Sequence, residues 1–223
     1  MLGARAVPSA LAIGAMIPDA WYVVPLVERG YSHELPGALW FGMPAGLLVY
    51  VAFHLLFKHP LLALAPRRLA GRLARWATPG LPRVPWPTVL LSLFAGIATH
   101  LLWDTFTHSG QFTILDARVA GGPYLHQILQ HASTLLGTAY LAVWLRRKLR
   151  ATLPVTGACA LPDRLRLAVV AAMIGLPAAV FFGVLRAMDA HVGPLALRAA
   201  GVMALSAFGL VTLLYALGWK LAR

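Results

Sequence analysis

The sequence has little charge and almost no cysteine, and each shortage excludes a class of protein. Charged residues make up 12% of the 223 residues, whereas 60% are hydrophobic, and the mean hydropathy is +0.74. A soluble domain of this size has too little interior to bury so much apolar surface, so the composition predicts an integral membrane protein. Cys159 is the single cysteine, which excludes an internal disulfide and a cysteine-based zinc site.

Acidic residues are also scarce, with 7 Asp and Glu against 19 Lys and Arg and a formal net charge of +12. In a soluble protein this excess would favour nucleic-acid binding. Here the basic residues cluster between the apolar segments, which is typical of topology signals in membrane proteins. We therefore expect membrane lipid, and no nucleic acid, as the partner.

The apolar segments predict an all-α, polytopic membrane helical bundle of about six transmembrane helices. They form one integral membrane domain over residues 1–223. Each segment has about 20 residues, enough to cross a hydrocarbon core of about 30 Å. The predicted helices run from about Ala6 to Val27 with an interruption at Pro18, from Pro36 to Phe57, from Pro85-Trp86-Pro87 to His108, from Tyr124 to Leu145, from Pro162-Asp163 to Met188, and from Pro194 to Trp219.

The distribution of basic residues predicts the orientation of these helices. Positive charge is concentrated in two loops and at the chain ends, and the other loops have little. The positive-inside rule then places both termini in the cytoplasm. The basic, amphipathic stretch of residues 61–76 lies along the inner leaflet or forms a plain basic loop. The two basic loops contain Lys58, Arg67, Arg68, Arg72, Arg75 and Arg83, and Arg146, Arg147, Lys148, Arg150, Arg164 and Arg166.

Ionisable residues lie inside three of the apolar segments, where they are costly and usually mark a functional site. Asp19 lies in the first segment, His100 and Asp104 lie on one face of the third, and His131 lies in the fourth. With the predicted orientation and a rise of 1.5 Å per residue, the four residues differ in depth by only about 6 Å. Imidazole and carboxylate suit Zn²⁺ or Mn²⁺, so the pattern predicts a divalent metal site. A proton or solute pathway, or hydrogen bonds that only hold the bundle together, are the alternatives.

The first outer loop, residues 32–37, lies above this predicted site. His33 or Glu34 would serve there as a general acid or base or as a further ligand, and a capping segment before the second helix is the alternative. His54 is predicted near the inner face, far from the site. His108 is predicted at the outer rim, where it holds substrate or contacts water.

Four stretches of this sequence, in this order, resemble the bacterial membrane family DUF4184: Ala12–Asp19, Ser32–Gly37, His100–His108 and Gln130–Gly137. They cover the first two-thirds of the chain, and the family has no established activity. Its members usually have a Ser-His pair ahead of the Gly-x-x-x-Pro-Asp element. In this sequence no histidine lies between Met1 and Gly14, where that element begins. Either the start is placed too late, or this member has one candidate ligand fewer.

The Gly-x-x-x-Pro-Asp and His-x-x-x-Asp elements are similar to those of a YdjM-like inner-membrane family described as metal-dependent hydrolases. They are more distantly similar to those of the zinc-dependent phospholipase C group. This resemblance implies, by analogy, hydrolysis of a lipid-like or phosphoester substrate by metal-activated water at the outer face. The alternative is a non-enzymatic transporter or membrane scaffold that uses the same His and Asp residues as a proton relay or as packing contacts.

Overall fold

The structure is a computed structural model that describes residues 6–22, 29–109, 115–155, 161–188 and 193–222. Within these ranges it contains eight α-helices and no β-strand, which confirms the all-α prediction. The helices are α1 Pro8–Met16, α2 Arg29–Ser32, α3 Leu35–Ala63, α4 Arg67–Ala74, α5 Trp86–Thr107, α6 Leu125–Ala151, α7 Asp163–Ala187 and α8 Pro194–Leu221.

Five of the described helices (α3, α5, α6, α7 and α8) are long and apolar enough to cross a membrane. The first predicted span has a different form, because α1 passes into a 3₁₀ helix over Ile17–Tyr22. Pro18 has no backbone N–H, so an α-helical hydrogen bond is lost where the helix changes type. The predicted end of that span at Val27 lies outside the described residues. The chain is therefore a polytopic helical membrane protein.

Two helices continue beyond the ends that the apolar segments predict. α3 reaches Ala63 and includes two π-helical turns, Ala38–Gly42 and Phe53–Phe57. α6 reaches Ala151 and carries its basic residues on the last turns. Lys and Arg are good helix formers, so the helix does not stop where the apolar segment stops.

Contacts divide the chain into two compact units that alternate along the sequence. The first comprises Met1–Pro18, Gly30–Leu47 and Val84–Leu153, and so includes α1, the first part of α3, α5 and α6. The second comprises Asp19–Arg29, Leu48–Arg83 and Pro154–Arg223, with the rest of α3, α4, α7 and α8. This division does not test the prediction that residues 1–223 form one integral membrane domain, which stays a prediction.

The core of the first unit is a close contact between α1 and α5. A Cβ atom at Gly14 would overlap the backbone carbonyl of Leu93, and one at Gly96 would overlap the carbonyl of Leu11. Glycine at both positions therefore lets the two backbones approach closely, as small residues do between membrane helices. This contact places the end of α1 beside the middle of α5, at Ala15 and His100.

In the second unit, α4 occupies the middle of the predicted amphipathic stretch 61–76. Its small residues Ala70 and Gly71 are buried, whereas Arg67 and Arg68 are exposed. The N–H of Val155 donates to the carbonyl of Gly71 at 2.8 Å and fixes the helix from its buried side. The position of α4 at the inner leaflet stays a prediction.

Candidate metal centre

Two of the predicted ligands, His100 and Asp104, lie on adjacent turns of α5. Their spacing of four residues puts both side chains on one face of the helix. His100 Nε2 lies 3.5 Å from Asp104 Oδ2, and the two side chains are 15% and 18% exposed. α5, the third of the predicted spans, therefore presents an imidazole and a carboxylate side by side, as the sequence predicts.

The third member of the group is His33, in the turn between α2 and α3. Its Nε2 lies 3.4 Å from the same oxygen, Asp104 Oδ2. The rings of His33 and His100 meet edge to face, with centroids 5.5 Å apart. The turn that presents His33 is tight, because a Cβ atom at Gly37 would overlap the carbonyl of Tyr31. A residue with a side chain at position 37 would displace this turn.

Hydrogen bonds on the far side of each ring fix the imidazole tautomers. His100 Nδ1 donates to the carbonyl of Ala15 at 2.7 Å, and a carbonyl can only accept. The Ser32 hydroxyl donates to the carbonyl of Pro18 at 3.0 Å, so its oxygen accepts from His33 Nδ1, also at 3.0 Å. In the neutral form, both Nε2 atoms therefore carry a lone pair, as in histidines whose second nitrogen is held by a backbone or hydroxyl partner.

Both lone pairs face a carboxylate oxygen, which also has no proton to share. The separations of 3.4 and 3.5 Å exceed the length of about 2.7–2.9 Å that charge-assisted hydrogen bonds have. They match the spacing of about 3.3 Å between two donor atoms bound to one tetrahedral metal at about 2.0 Å. A ring nitrogen of His33 also lies within 4.8 Å of one of His100. These three residues lie close enough together to form a histidine–aspartate group.

The remaining predicted site residues are Glu34, His131 and Asp19. Glu34 is exposed at the N-terminal end of α3. His131 is exposed on α6, and within the described ranges we see no contact between its side chain and His33, His100 or Asp104. Asp19 lies in the 3₁₀ helix directly after Pro18 and is counted with the second unit. The roles of all three residues stay predictions.

Two neighbours of His131 on α6 contact residues at the C-terminal end of α5. The Gln130 amide lies 3.2 Å from His108 Nε2, and the Trp103 indole N–H donates to Ser133 Oγ at 3.3 Å. His108 Nδ1 in turn lies 3.4 Å from Asp104 Oδ1. Gln130 belongs to the motif that contains His131, but the sequence pattern gave it no specific role in the site. The only signal for His108 was its position one turn after Asp104.

Fold and site together define a helical membrane protein with a histidine–aspartate group beside one of its long apolar helices. A family model described as "Domain of unknown function (DUF4184)" matches residues 2–217, and the chain belongs to that family. The comparison with curated proteins finds no match, and neither does the comparison with solved structures. The similarity to YdjM-like hydrolases and to phospholipase C is therefore not shown and stays an expectation.

Proposed function

We propose that this protein is a membrane-embedded metal enzyme that hydrolyses a lipid-like or phosphoester substrate at the outer face. His33 Nε2, His100 Nε2 and Asp104 Oδ2 would hold a divalent cation, Zn²⁺ or Mn²⁺. The observation that carries the proposal is the convergence of two imidazole lone pairs on one carboxylate oxygen at metal-ligand spacing. A cation placed between these atoms removes the repulsion between their lone pairs.

Three protein ligands leave room for water in a four-coordinate site, the arrangement that catalytic zinc sites use. A bound divalent metal lowers the pKa of such a water and so supplies a nucleophile at neutral pH. Asp19, which the sequence predicts as a ligand, would add a second carboxylate, and a five-coordinate site would then still have a position for water. Its neighbour Pro18 accepts the hydrogen bond that orients Ser32 and, through it, His33.

The outer position of the site follows from the predicted orientation. α5 begins after the basic loop and runs outward, and Asp104 lies one turn before its end at Thr107. One turn is about 5.4 Å, so the site would lie just below the outer membrane surface. Trp103 beside it is partly exposed, as aromatic residues near a membrane interface often are. Substrate would therefore enter from the outer leaflet.

The proposal is tested by the metal content of protein purified in detergent under metal-replete conditions. We expect about one Zn²⁺ or Mn²⁺ per wild-type chain and little in the His33→Ala, His100→Ala and Asp104→Asn variants, because each removes a donor atom. His54→Ala is the matched control, since His54 is a buried histidine of the second unit. His131→Ala separates the two ligand sets: it keeps the metal if His33 is the second imidazole ligand and loses it if His131 is.

Catalysis needs a measurement of its own. Metal-loaded wild type should cleave a chromogenic phosphodiester or ester in mixed micelles, and the Asp104→Asn variant should not. A chain of contacts from Asp104 through His108 to Gln130 favours proton transfer as the second candidate function. If no metal is bound and the variants stay folded but lose a pH-dependent flux in proteoliposomes, the transporter function replaces the enzyme.

A further inference from the structure

Asp104 uses its two carboxylate oxygens differently. Oδ2 faces His33 and His100, whereas Oδ1 lies 3.4 Å from Nδ1 of His108. His108 is the residue directly after α5, and its backbone N–H donates to the carbonyl of Asp104 at 3.0 Å. The backbone at the end of the helix thus holds the His108 ring beside the carboxylate.

The hydrogen bonds around His108 place its proton on the nitrogen that faces Asp104. An amide NH₂ only donates, so Gln130 Nε2 donates to His108 Nε2 at 3.2 Å and that nitrogen carries the lone pair. The Thr107 hydroxyl donates to the carbonyl of Trp103 at 3.2 Å, so its oxygen can accept from His108 Nδ1, also at 3.2 Å. The same Nδ1 lies 3.4 Å from Asp104 Oδ1.

We propose that His108 and Gln130 are positioning residues of the metal centre: Gln130 orients His108, and His108 holds Asp104 so that Oδ2 points at the two histidines. This inference rests on the proposed function and assigns to α6 a part in the site through Gln130. Partners that orient a ligand in this way typically change metal affinity by about 10- to 100-fold. His108 and Gln130 need not touch the metal themselves.

The test is a Co²⁺ titration of the purified, metal-stripped full chain in detergent. Binding is monitored through the visible absorption of the bound ion. Gln130→Leu removes the amide donor at similar volume, and His108→Leu removes the N–H that faces Asp104. His108→Asn is the conservative variant, because an amide N–H can replace the lost donor. Ser133→Ala is the matched control: it deletes a hydrogen bond from Trp103 on α5 and the bond from the Ser133 hydroxyl to the Gln130 carbonyl, but it leaves the Gln130 amide and Asp104 in place.

We expect the Leu variants at positions 108 and 130 to bind Co²⁺ about 10- to 100-fold more weakly with an altered spectrum, and His108→Asn to recover part of the loss. Ser133→Ala should bind like the wild type. Wild-type affinity in both Leu variants, or an equal loss in Ser133→Ala, overturns the positioning role while the metal centre stands. A wild type that binds no Co²⁺ refutes the metal centre, and the positioning role with it.

Discussion

At the residue scale, the site depends on which nitrogen of each histidine carries the proton. Ala15 fixes His100 and Ser32 fixes His33, in each case through Nδ1, so both rings present Nε2 to Asp104. Ser32 is buried and makes a double contact, as a donor to Pro18 and an acceptor from His33. Ser32, which has no proposed contact with the metal, therefore controls the orientation of the ligand His33.

Replacement of Ser32 by alanine should weaken metal binding by about 10- to 100-fold, because His33 loses the acceptor that holds its Nδ1–H. Isothermal titration of the detergent-solubilised protein with Zn²⁺ measures this loss. Thr105→Val is the control, since the Thr105 hydroxyl donates only to the carbonyl of Leu102 on its own helix. Equal Zn²⁺ affinity in Ser32→Ala and wild type would mean that Ser32 does not orient His33.

At the element scale, the contact between α1 and α5 brings Ala15 to His100. The backbones approach so closely that neither Gly14 nor Gly96 has space for a methyl group, whereas a Cβ atom at Gly137 on α6 would have nothing within 4 Å. The position of the Ala15 carbonyl therefore depends on two glycines, Gly14 and Gly96, that have no functional side chain. Packing and ligand orientation are coupled through this one contact.

Gly14→Ala and Gly96→Ala should each destabilise the protein by about 1–3 kcal/mol, because the added methyl group forces the two helices apart. The same separation moves the Ala15 carbonyl from His100, so metal affinity should fall as well. Gly137→Ala should be neutral or stabilising by up to about 1 kcal/mol, as Gly→Ala exchanges in open helix positions are. Thermal unfolding in detergent checks the stability order, and a melting temperature of Gly14→Ala equal to that of wild type would contradict it.

The sequence predicts the membrane helices well and the site only in part. Length and apolar composition are local properties, so the segments of α3, α5, α6, α7 and α8 follow from them. The rotation of a helix about its axis is not local, and one residue changes the direction of a side chain by about 100°. Depth and helix-face spacing grouped His131 with His100 and Asp104, and that grouping stays a prediction. The contact of Gln130 with His108 is tertiary and could not be read from either.

His33 shows a second limit of prediction from sequence. It lies in a short turn, and its approach to Asp104 depends on the tight backbone contact at Gly37 and on the bond from Ser32 to Pro18. Both contacts are tertiary, so the sequence pattern offered His33 as a general acid or base or as a further ligand and could not decide between these roles. The His-x-x-x-Asp spacing on α5, in contrast, is a local pattern and was sufficient to predict that pair.

At the scale of the whole molecule, the proposed chemistry requires the site to face outward, and the basic residues predict this orientation. α6 places Lys148 and Arg150 on its last turn, whereas the segment before α6 contains Asp116. In a Cys159→Ser background, Asp116→Cys should react with an impermeant maleimide in intact cells, and Lys148→Cys only after permeabilisation. The reverse pattern of labelling would place the site at the cytoplasmic face.

The central claim is that His33, His100 and Asp104 share one metal ion, and X-ray absorption at the zinc edge tests it most directly. The Zn²⁺-loaded wild type should show a first shell of nitrogen and oxygen at about 2.0–2.1 Å, with the outer scattering of two imidazole rings and no sulfur. His33→Ala should lose the signal of one ring, and His131→Ala should keep both. A spectrum without imidazole scattering, or one in which His131→Ala rather than His33→Ala loses a ring, would contradict the account.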